Sequence, residues 1–254
     1  MRNAAKRRSK SSATERELAG ESVDVSEDVS NRICATLAAA IGEGALKPGA
    51  KILEDTIAEH FKVSRTVVRG ALGILEHDHL LERKRNRGSF VAEPTIEQAK
   101  ELFEARRAME GLVLGLAVER GTLADFDRLD VIINREDAIH HGGDEKAKAE
   151  LSGDFHIEIA RISGNKVLTE LLEKVIARLA LVMVLYEQDH HDDCGTDHHR
   201  AILNALRVKD RALALQLMDE HLAEVEERVR LTQDHGDRHS FEAMLANFST
   251  QPSP

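Results

Sequence analysis

The sequence lacks several features that mark common classes of protein. Its 254 residues include no tryptophan, four prolines, two cysteines and only 3% aromatic residues. No apolar run approaches the roughly 20 residues that span a bilayer, and no apolar segment follows the basic N-terminus as in a secretory signal. Cys34 and Cys194 are far apart and match no metal or redox spacing. We therefore expect no membrane association and a location in the reducing cytoplasm.

Hydrophobic residues still make up 42% of the chain, which is enough for a substantial core. Because aromatic residues are few, that core must consist mainly of leucine, isoleucine, valine and alanine. The scarcity of proline favours helices. The length allows one large or two ordinary domains. We predict a mainly α-helical protein.

Charge is unevenly distributed along the chain, whose net charge is −10. Residues 1–24 carry +2, residues 25–93 are neutral, and the remainder carries −12. The acidic load therefore belongs to the C-terminal part and does not argue against nucleic-acid binding by residues 25–93. The polar, aperiodic residues 1–24 are expected to form a disordered basic tail, which could contact phosphates or stay solvated.

Two short helical patterns follow each other between residues 52 and 76. Apolar residues recur in them every three or four positions: Leu53, Ile57, Phe61, Val68, Leu72 and Leu75. Ser64 can act as N-cap of the second helix. Arg65, Thr66 and Arg69 then lie in its first two turns, where a recognition helix carries the side chains that reach bases and phosphates.

A basic hairpin is predicted directly after these helices. Leu80–Arg83 and Ser89–Ala92 have the character of short strands, and they flank the polar turn Lys84–Gly88. Arg87 and Gly88 lie in that turn. Helix, turn, helix and basic hairpin together predict a winged helix-turn-helix unit.

The same elements could belong to an α+β domain in which the arginines are merely solvated. The position of the charges favours DNA binding. From Arg65 to Arg87 there are six basic residues against three acidic ones, concentrated at the helix start and the hairpin tip. These are the two parts of such a unit that would meet a duplex.

Residues 53–91 resemble the winged helix-turn-helix of the bacterial GntR family of transcription regulators. The resemblance rests on Leu53-Glu54, Ile57-Ala58, the run Val63–Leu72, Leu80, Asn86–Gly88 and Val91. DNA binding is assigned on this basis to Ser64, Arg65, Thr66, Arg69, Arg87 and Gly88. The sequence departs from the family at Gly70, where glutamate is usual; glycine inside a helix costs about 1 kcal/mol relative to alanine.

The organisation of the whole chain follows from its helical periodicity and its breaks. A first helix, from Ser26 to about Gly42, opens a DNA-binding domain of residues 25–93. Beyond the linker Glu93–Thr95, Thr95 can cap the next helix and Gln98 completes a capping-box spacing. Helices are predicted at about 95–120, 122–140, 144–162, 165–190, 195–207 and 209–232. Their short connections imply an antiparallel bundle over residues 94–232, followed by a polar tail, residues 233–254, that could hold one more short helix.

Three histidines lie on the apolar faces of three of these helices. His156, His199 and His221 each have apolar residues three, four or seven positions away. They could converge in the bundle core, where neutral imidazoles suit a divalent transition metal such as zinc, or each could be a hydrogen-bonded core residue. Four other histidines adjoin helix breaks and are expected to be exposed: His140, His141, His190 and His191. The same is expected of His198.

The C-terminal part resembles the all-helical FCD effector domain of the FadR subfamily. The resemblance rests on Glu104–Glu110, Phe155-His156, Ser163–Asn165, His199–Ile202, Ala205-Leu206, Asp210 and Met218–Leu222. It implies that His156, His199 and His221 bind a metal, commonly zinc or nickel, with an acidic residue one turn before the first histidine. That position is Ser152 here, and Asp154 would point about 160° away from His156 on a regular helix. This leaves three protein ligands and an open position for water or an effector oxygen, or a metal-free site.

The resemblance also implies that Arg106 faces the effector pocket. A guanidinium near a metal can bind a small carboxylate through two parallel hydrogen bonds. The alternative is a surface pair between Arg106 and Glu110, four residues further on, which would stabilise the helix by only tenths of a kcal/mol. Asn165 could line the same pocket, or it could be an N-cap that follows the helix stop at Gly164.

These features predict a ligand-responsive regulator, specifically a repressor, that binds a double-stranded DNA operator and senses a small organic or sugar acid. We expect a homodimer, since one unit reads only one half-site, and an effector that shifts the population between two arrangements of the DNA-binding domains. The alternative is a metal-dependent hydrolase or lyase with an accessory nucleic-acid-binding module, because three histidines with an open position can activate water. No general base lies at a matching position, which favours the regulator.

Overall fold

A computed structural model describes residues 28–140, 145–186 and 195–229. The predictions for residues 1–24, for the tail from residue 233, and for His141, His190 and His191 fall outside this part, as do those for Cys194 and the side chain of His140. The chain divides into two compact units between Glu93 and Pro94, except that Glu145–Glu150 cluster with the first unit. None of the described helices combines the length and the apolar character needed to cross a membrane.

The described part of the first unit contains three helices: α1 (residues 28–42), α2 (Glu54–Phe61) and α3 (Arg65–His77). The spacing of four predicted for α1 is seen in its buried side chains Ile33, Leu37 and Ile41. In α2 the prediction is partly wrong, because Leu53 is exposed and Ile52 is buried in its place. Leu53 is the N-cap residue of α2 and has an extended backbone, so its side chain does not continue the helical stripe.

A two-stranded antiparallel hairpin follows α3, with β1 at Leu81–Lys84 and β2 at Gly88–Val91. The predicted first strand began one residue too early, and the predicted second strand began one residue too late. Leu80 is excluded from β1 because its N–H donates to the carbonyl of Leu75, 3.0 Å away, and completes the turn after α3. The loop is consequently shorter than expected, and Gly88 closes it with a φ of 98°, which glycine adopts without steric cost.

The second unit contains six described helices: α4 (Ile96–Arg120), α5 (Leu123–His140), α6 (Glu145–Ile162), α7 (Lys166–Tyr186), α8 (Gly195–Arg207) and α9 (Arg211–Arg228). Helix α4 packs against α7 and α9, and α8 packs against α5 and α9. The core contains the largest buried side chains of this unit: Phe126, Phe155, Leu114, Leu129, Ile133, Ile159, Leu172, Leu181 and Ile202. A winged helix-turn-helix followed by a helical bundle confirms the predicted fold class.

Local sequence signals explain where α4 begins and ends. The hydroxyl of Thr95 accepts from the N–H of Gln98 at 3.2 Å, and the side chain of Gln98 accepts from the N–H of Thr95 at 2.9 Å. This confirms the predicted capping box. At the other end Gly121 is needed for close packing, because a Cβ there would lie 2.6 Å from the ring of Phe126.

Candidate metal centre and nucleic-acid interface

Three helices bring one histidine each into the core of the second unit. His156 on α6, His199 on α8 and His221 on α9 are 0%, 0% and 2% exposed. Nε2 of His221 lies 3.2 Å from Nε2 of His156 and 3.3 Å from Nε2 of His199. Nitrogens bound tetrahedrally to zinc at about 2.0–2.1 Å would be about 3.3 Å apart. The spacing of the three side chains therefore fits a small divalent cation.

Two buried carboxylates contact the outer nitrogens of this cluster. Glu110 Oε2 lies 2.5 Å from Nδ1 of His156, and Glu136 Oε2 lies 2.8 Å from Nδ1 of His199. An ionised carboxylate can only accept, so each of these Nδ1 atoms carries a proton and each Nε2 presents a lone pair. A single N–H on His221 cannot satisfy both lone pairs at once, whereas a cation between the three nitrogens can.

Burial and charge favour the neutral form of His156 and His221. Burial lowers the pKa of His156 to about 4, although the neighbouring Glu110 opposes this shift. The pKa of His221 lies far below its usual range, mainly because of burial and to a smaller extent because of repulsion from His156 and His199. Burial alone would raise the pKa of Glu110, but His156 and Arg106 outweigh it and lower that pKa to about 2. Neutral imidazoles beside an ionised carboxylate are the protonation states that metal binding requires.

Arg106 lies beside the same cluster and is only 8% exposed. Its Nε donates to Oε1 of Glu110 at 2.7 Å, and the side chain of Glu110 is fully buried. The pair that was the alternative interpretation therefore forms, but it is buried and does not lie on the surface. The positive charge of Arg106 contributes to the lowered pKa of both His156 and His221, so it acts on the cluster. Among the described residues, no hydrogen bond is made by its two terminal nitrogens, which leaves them available to an anion.

Neither Ser152 nor Asp154 supplies an acidic ligand beside His156. Ser152 is half-buried and Asp154 is exposed, and the only group of ligand-type side chains that converges in the described part of the chain is the three histidines. The prediction that His198 is exposed is wrong. Its side chain is half-buried, its ring packs edge-on against His221 with centroids 5.7 Å apart, and its Nδ1 lies 3.5 Å from Oε2 of Glu224.

Asn165 is the N-cap of α7, which was the alternative to a position in the pocket. Its Oδ1 accepts from the N–H of Leu168 at 3.2 Å, which caps α7, and Gly164 before it has a φ of 68°. The hydrogen bonds of Asn165 in the described structure do not join it to Arg106 or to the histidines. A role in effector binding stays a prediction.

Glu110 and Glu136 are the two site residues that the sequence reasoning missed. Both occupy core positions of their helices: Glu110 precedes Val113 by three residues, and Glu136 follows Ile133 by three. An acidic residue in an apolar stripe is a detectable signal, because a buried carboxylate requires partners. Periodicity alone could not say which partners, since the histidines lie 46 and 63 residues further along the chain.

Four of the predicted DNA-binding residues are exposed at the cap and in the first two turns of α3. Ser64 caps α3, as its Oγ accepts from the N–H of Val67 at 3.4 Å. Thr66 beside it is exposed. Two further exposed side chains of α3 are paired with acids at the start of α2: Arg65 with Asp55 at 2.7 Å, and Arg69 with Glu54 at 2.8 Å.

The hairpin presents its basic side chains around the loop. Arg87 is exposed, with its guanidinium carbon 5.4 Å from the centroid of the Phe90 ring. Lys84 forms ion pairs with Glu82 and Glu93 at 2.6 and 3.6 Å. Gly88 shapes the loop through its backbone conformation. Recognition helix and wing are thus both exposed, as contact with a duplex requires.

Comparison with known proteins agrees with this architecture. Residues 29–91 match the family model of bacterial regulatory proteins of the gntR family, and residues 101–224 match the FCD domain. The Uxu operon regulator of Haemophilus influenzae is 30% identical over 84% of this chain and 85% of its own. A probable D-xylose utilization operon transcriptional repressor of Paenarthrobacter nicotinovorans is 28% identical over 72% of this chain and 80% of its own.

A solved structure extends the comparison to the fold. The crystal structure of a putative GntR transcriptional regulator from Rhodococcus sp. RHA1 has a TM-score of 0.69 and 28% identity, over 78% of this chain and 96% of that chain. A winged helix-turn-helix joined to an FCD domain defines a class of DNA-binding transcription regulators. The chain belongs to the GntR family. Both family matches and the relatives described above are those of transcription regulators, so the chain is a DNA-binding transcription regulator.

Proposed function

We propose that this regulator senses a small organic or sugar acid at a metal held by His156, His199 and His221. The observation that carries the proposal is the convergence of three buried Nε2 atoms beside Arg106, whose two terminal nitrogens form no hydrogen bond with the described residues. Zinc suits three neutral imidazoles best, and nickel is the second choice. When bound, the metal would supply an open coordination position for one effector oxygen.

Arg106 would bind the effector carboxylate directly. Its Nε is already held by Glu110, so the guanidinium has a defined orientation before the ligand arrives. A planar fork with two free donors matches a carboxylate bidentately, which a lysine at this position would not reproduce. Asn165 at the start of α7 is the second candidate for effector contact.

The DNA contacts are assigned to Ser64, Arg65, Thr66, Arg69, Arg87 and Gly88. Arg65, Thr66 and Arg69 lie on the exposed face of the first two turns of α3, the part of a recognition helix that enters the major groove. Arg87 and Gly88 would place the hairpin loop against the backbone or the minor groove. Because the target is chromosomal DNA, we place the protein in the cytoplasm.

We further propose a homodimeric repressor of the FadR subfamily. One winged unit reads one half-site, so a second copy is needed for an operator of useful specificity. The name of the Paenarthrobacter relative supports repression, and the FCD match supports assignment to this subfamily.

A thermal-shift screen against small carboxylates, with zinc supplied, tests the sensor. A ligand present at a hundred times its dissociation constant, and bound only by the folded protein, stabilises it by about 2.7 kcal/mol. We expect hits among hydroxy and sugar acids that raise the unfolding midpoint of the wild type and not of Arg106→Gln. Equal shifts in both proteins would place the ligand elsewhere. Silence towards zinc and towards every acid would refute the metal-containing sensor.

A further inference from the structure

The two histidine–carboxylate pairs of the cluster differ in one respect. Among the described residues, Glu136 forms a side-chain hydrogen bond with His199 alone. Glu110 divides its carboxylate between two partners, with Oε2 at 2.5 Å from His156 Nδ1 and Oε1 at 2.7 Å from Arg106 Nε. The three linked residues, Arg106, Glu110 and His156, are each at least nine-tenths buried. Only one of the two carboxylates therefore links a candidate metal ligand to the candidate anion site.

A carboxylate shared in this way transmits charge between its partners. The stronger its bond to the arginine, the weaker it is as an acceptor for Nδ1–H, and the poorer His156 Nε2 becomes as a donor to a metal. An anion that binds the terminal nitrogens of Arg106 draws the guanidinium charge towards itself. The carboxylate then acts more fully on His156. In a buried, low-dielectric site such effects are not screened by water.

We propose that Glu110 is a positioning residue that makes the metal affinity of the three-histidine cluster depend on the state of Arg106. Anion binding at Arg106 and metal binding at His156 then reinforce each other, and by linkage the effect is reciprocal. This inference rests on the proposed function, since it presupposes that the cluster binds a metal. It assigns the coupling to one residue of α4. It also predicts that Glu136, which forms no hydrogen bond with an arginine among the described residues, takes no part in it.

A double-mutant cycle on metal affinity tests the assignment with the full-length protein and Co²⁺ as the only probe. The variants are Arg106→Gln, Glu110→Gln and their combination, with Glu136→Gln and its combination with Arg106→Gln as matched control. Affinity is measured by titration, and the visible absorption of bound Co²⁺ reports the ligand field. Loss of either carboxylate should weaken Co²⁺ binding by roughly 10–100-fold, as expected for a residue that supports a metal ligand.

The decisive quantity is the change in Co²⁺ affinity that Arg106→Gln causes in three backgrounds: the wild type, Glu110→Gln and Glu136→Gln. In the wild type and in the Glu136→Gln variant, both of which retain Glu110, we expect Arg106→Gln to tighten Co²⁺ binding and to shift the absorption band. With Glu110→Gln, the effect should shrink to within about twofold of no change, because the connecting carboxylate is gone. The same effect in all three backgrounds would mean that the arginine acts on the metal by direct repulsion, and would overturn the proposal.

Two further outcomes are distinguishable. If Glu110→Gln does not fold, Glu110→Asp replaces it, because the shorter side chain keeps the charge but cannot reach both partners; the same loss of coupling is expected. If the wild type itself binds no Co²⁺, the metal sensor fails and this inference fails with it. Co²⁺ binding with an Arg106 effect independent of Glu110 would refute the inference alone.

Discussion

The recognition helix and the three-histidine cluster use charged groups in opposite ways. Arg65 and Arg69 are 65% and 59% exposed and pair with acids in water. His156 and Glu110 are fully buried, and their contact is unavailable to solvent. An exposed ion pair contributes little to stability and is weakened by salt. A buried carboxylate such as Glu110 needs hydrogen-bond donors around it, because an unpaired buried charge costs several kcal/mol.

The recognition helix and the three-histidine cluster are therefore suited to different tasks. The arginines of α3 can exchange their carboxylate partners for phosphates or base edges at small cost, which suits a surface that binds and releases DNA. The buried histidines cannot exchange partners freely, which suits a fixed set of ligands for one cation. Removing single groups from the two regions should accordingly give effects of different size.

The largest effect is expected from His199→Ala. It removes one of three candidate metal ligands, so the affinity for Co²⁺ or Zn²⁺ should fall by more than the roughly 100-fold that loss of a supporting carboxylate can cost. His198→Ala is the matched control, because His198 is the adjacent residue and packs against His221 but is not among the three converging ligands. Metal content measured on both purified variants decides the matter, and equal content in His199→Ala and wild type would remove His199 from the site.

The second effect concerns the stability of the metal-free protein in acid. The folded chain holds the pKa of His156 at about 4 instead of 6.5. Between these values the unfolded chain binds a proton that the folded chain does not, so the free energy of unfolding falls as the pH falls from 6.5 to about 4. His156 alone accounts for about 3 kcal/mol of this loss. The lowered pKa of Glu110, about 2 instead of 4.5, extends the loss to lower pH.

Urea unfolding of chelator-treated protein across this range measures the acid effect. His156→Gln cannot gain the proton and should lose less stability over the same interval. A wild-type free energy of unfolding that is flat between pH 6.5 and 4 would show that the imidazole is not held neutral by burial.

A smaller effect is expected on the exposed side of the comparison. Arg65→Ala and Arg69→Ala should each weaken operator binding by about 1–3 kcal/mol and relax specificity, while Arg87→Ala should weaken binding to all sequences and lower the salt dependence by about one counterion. Arg128→Ala, an arginine of the second unit that is 56% exposed, is the control. Titration of an operator selected from random duplexes provides the test, and undiminished binding by Arg65→Ala and Arg69→Ala would exclude α3 as the reading helix.

The smallest effect is expected at Gly70. Nothing lies within 4 Å of a Cβ built there, and the position is exposed on α3. Gly70→Ala should therefore stabilise the first unit by roughly 0.5–1 kcal/mol, because alanine loses less backbone entropy in a helix. Thermal unfolding monitored by circular dichroism checks this. A lower midpoint would mean that α3 needs the flexibility of glycine.

Parts of the fold were predictable because their determinants are local. The capping box at Thr95 and Gln98 and the cap at Ser64 involve residues three apart, and the periodicity of α1 appears directly in Ile33 and Ile41. Leu53 and the ends of the hairpin were less predictable. Their state depends on which backbone groups the neighbouring turns use, and an apolar pattern does not encode that choice.

By itself the sequence determined the two-part architecture, the helices and the face on which each histidine lies. These follow from periodicity, capping and turn chemistry, which act over a few residues. Only the tertiary structure shows that His156, His199 and His221 meet at Nε2 and that Arg106 is buried beside them. It also shows that Glu110 and Glu136 contact the Nδ1 atoms of His156 and His199, respectively. The physical reason is that these groups come from five helices, and only the packing of those helices brings distant side chains within hydrogen-bonding distance.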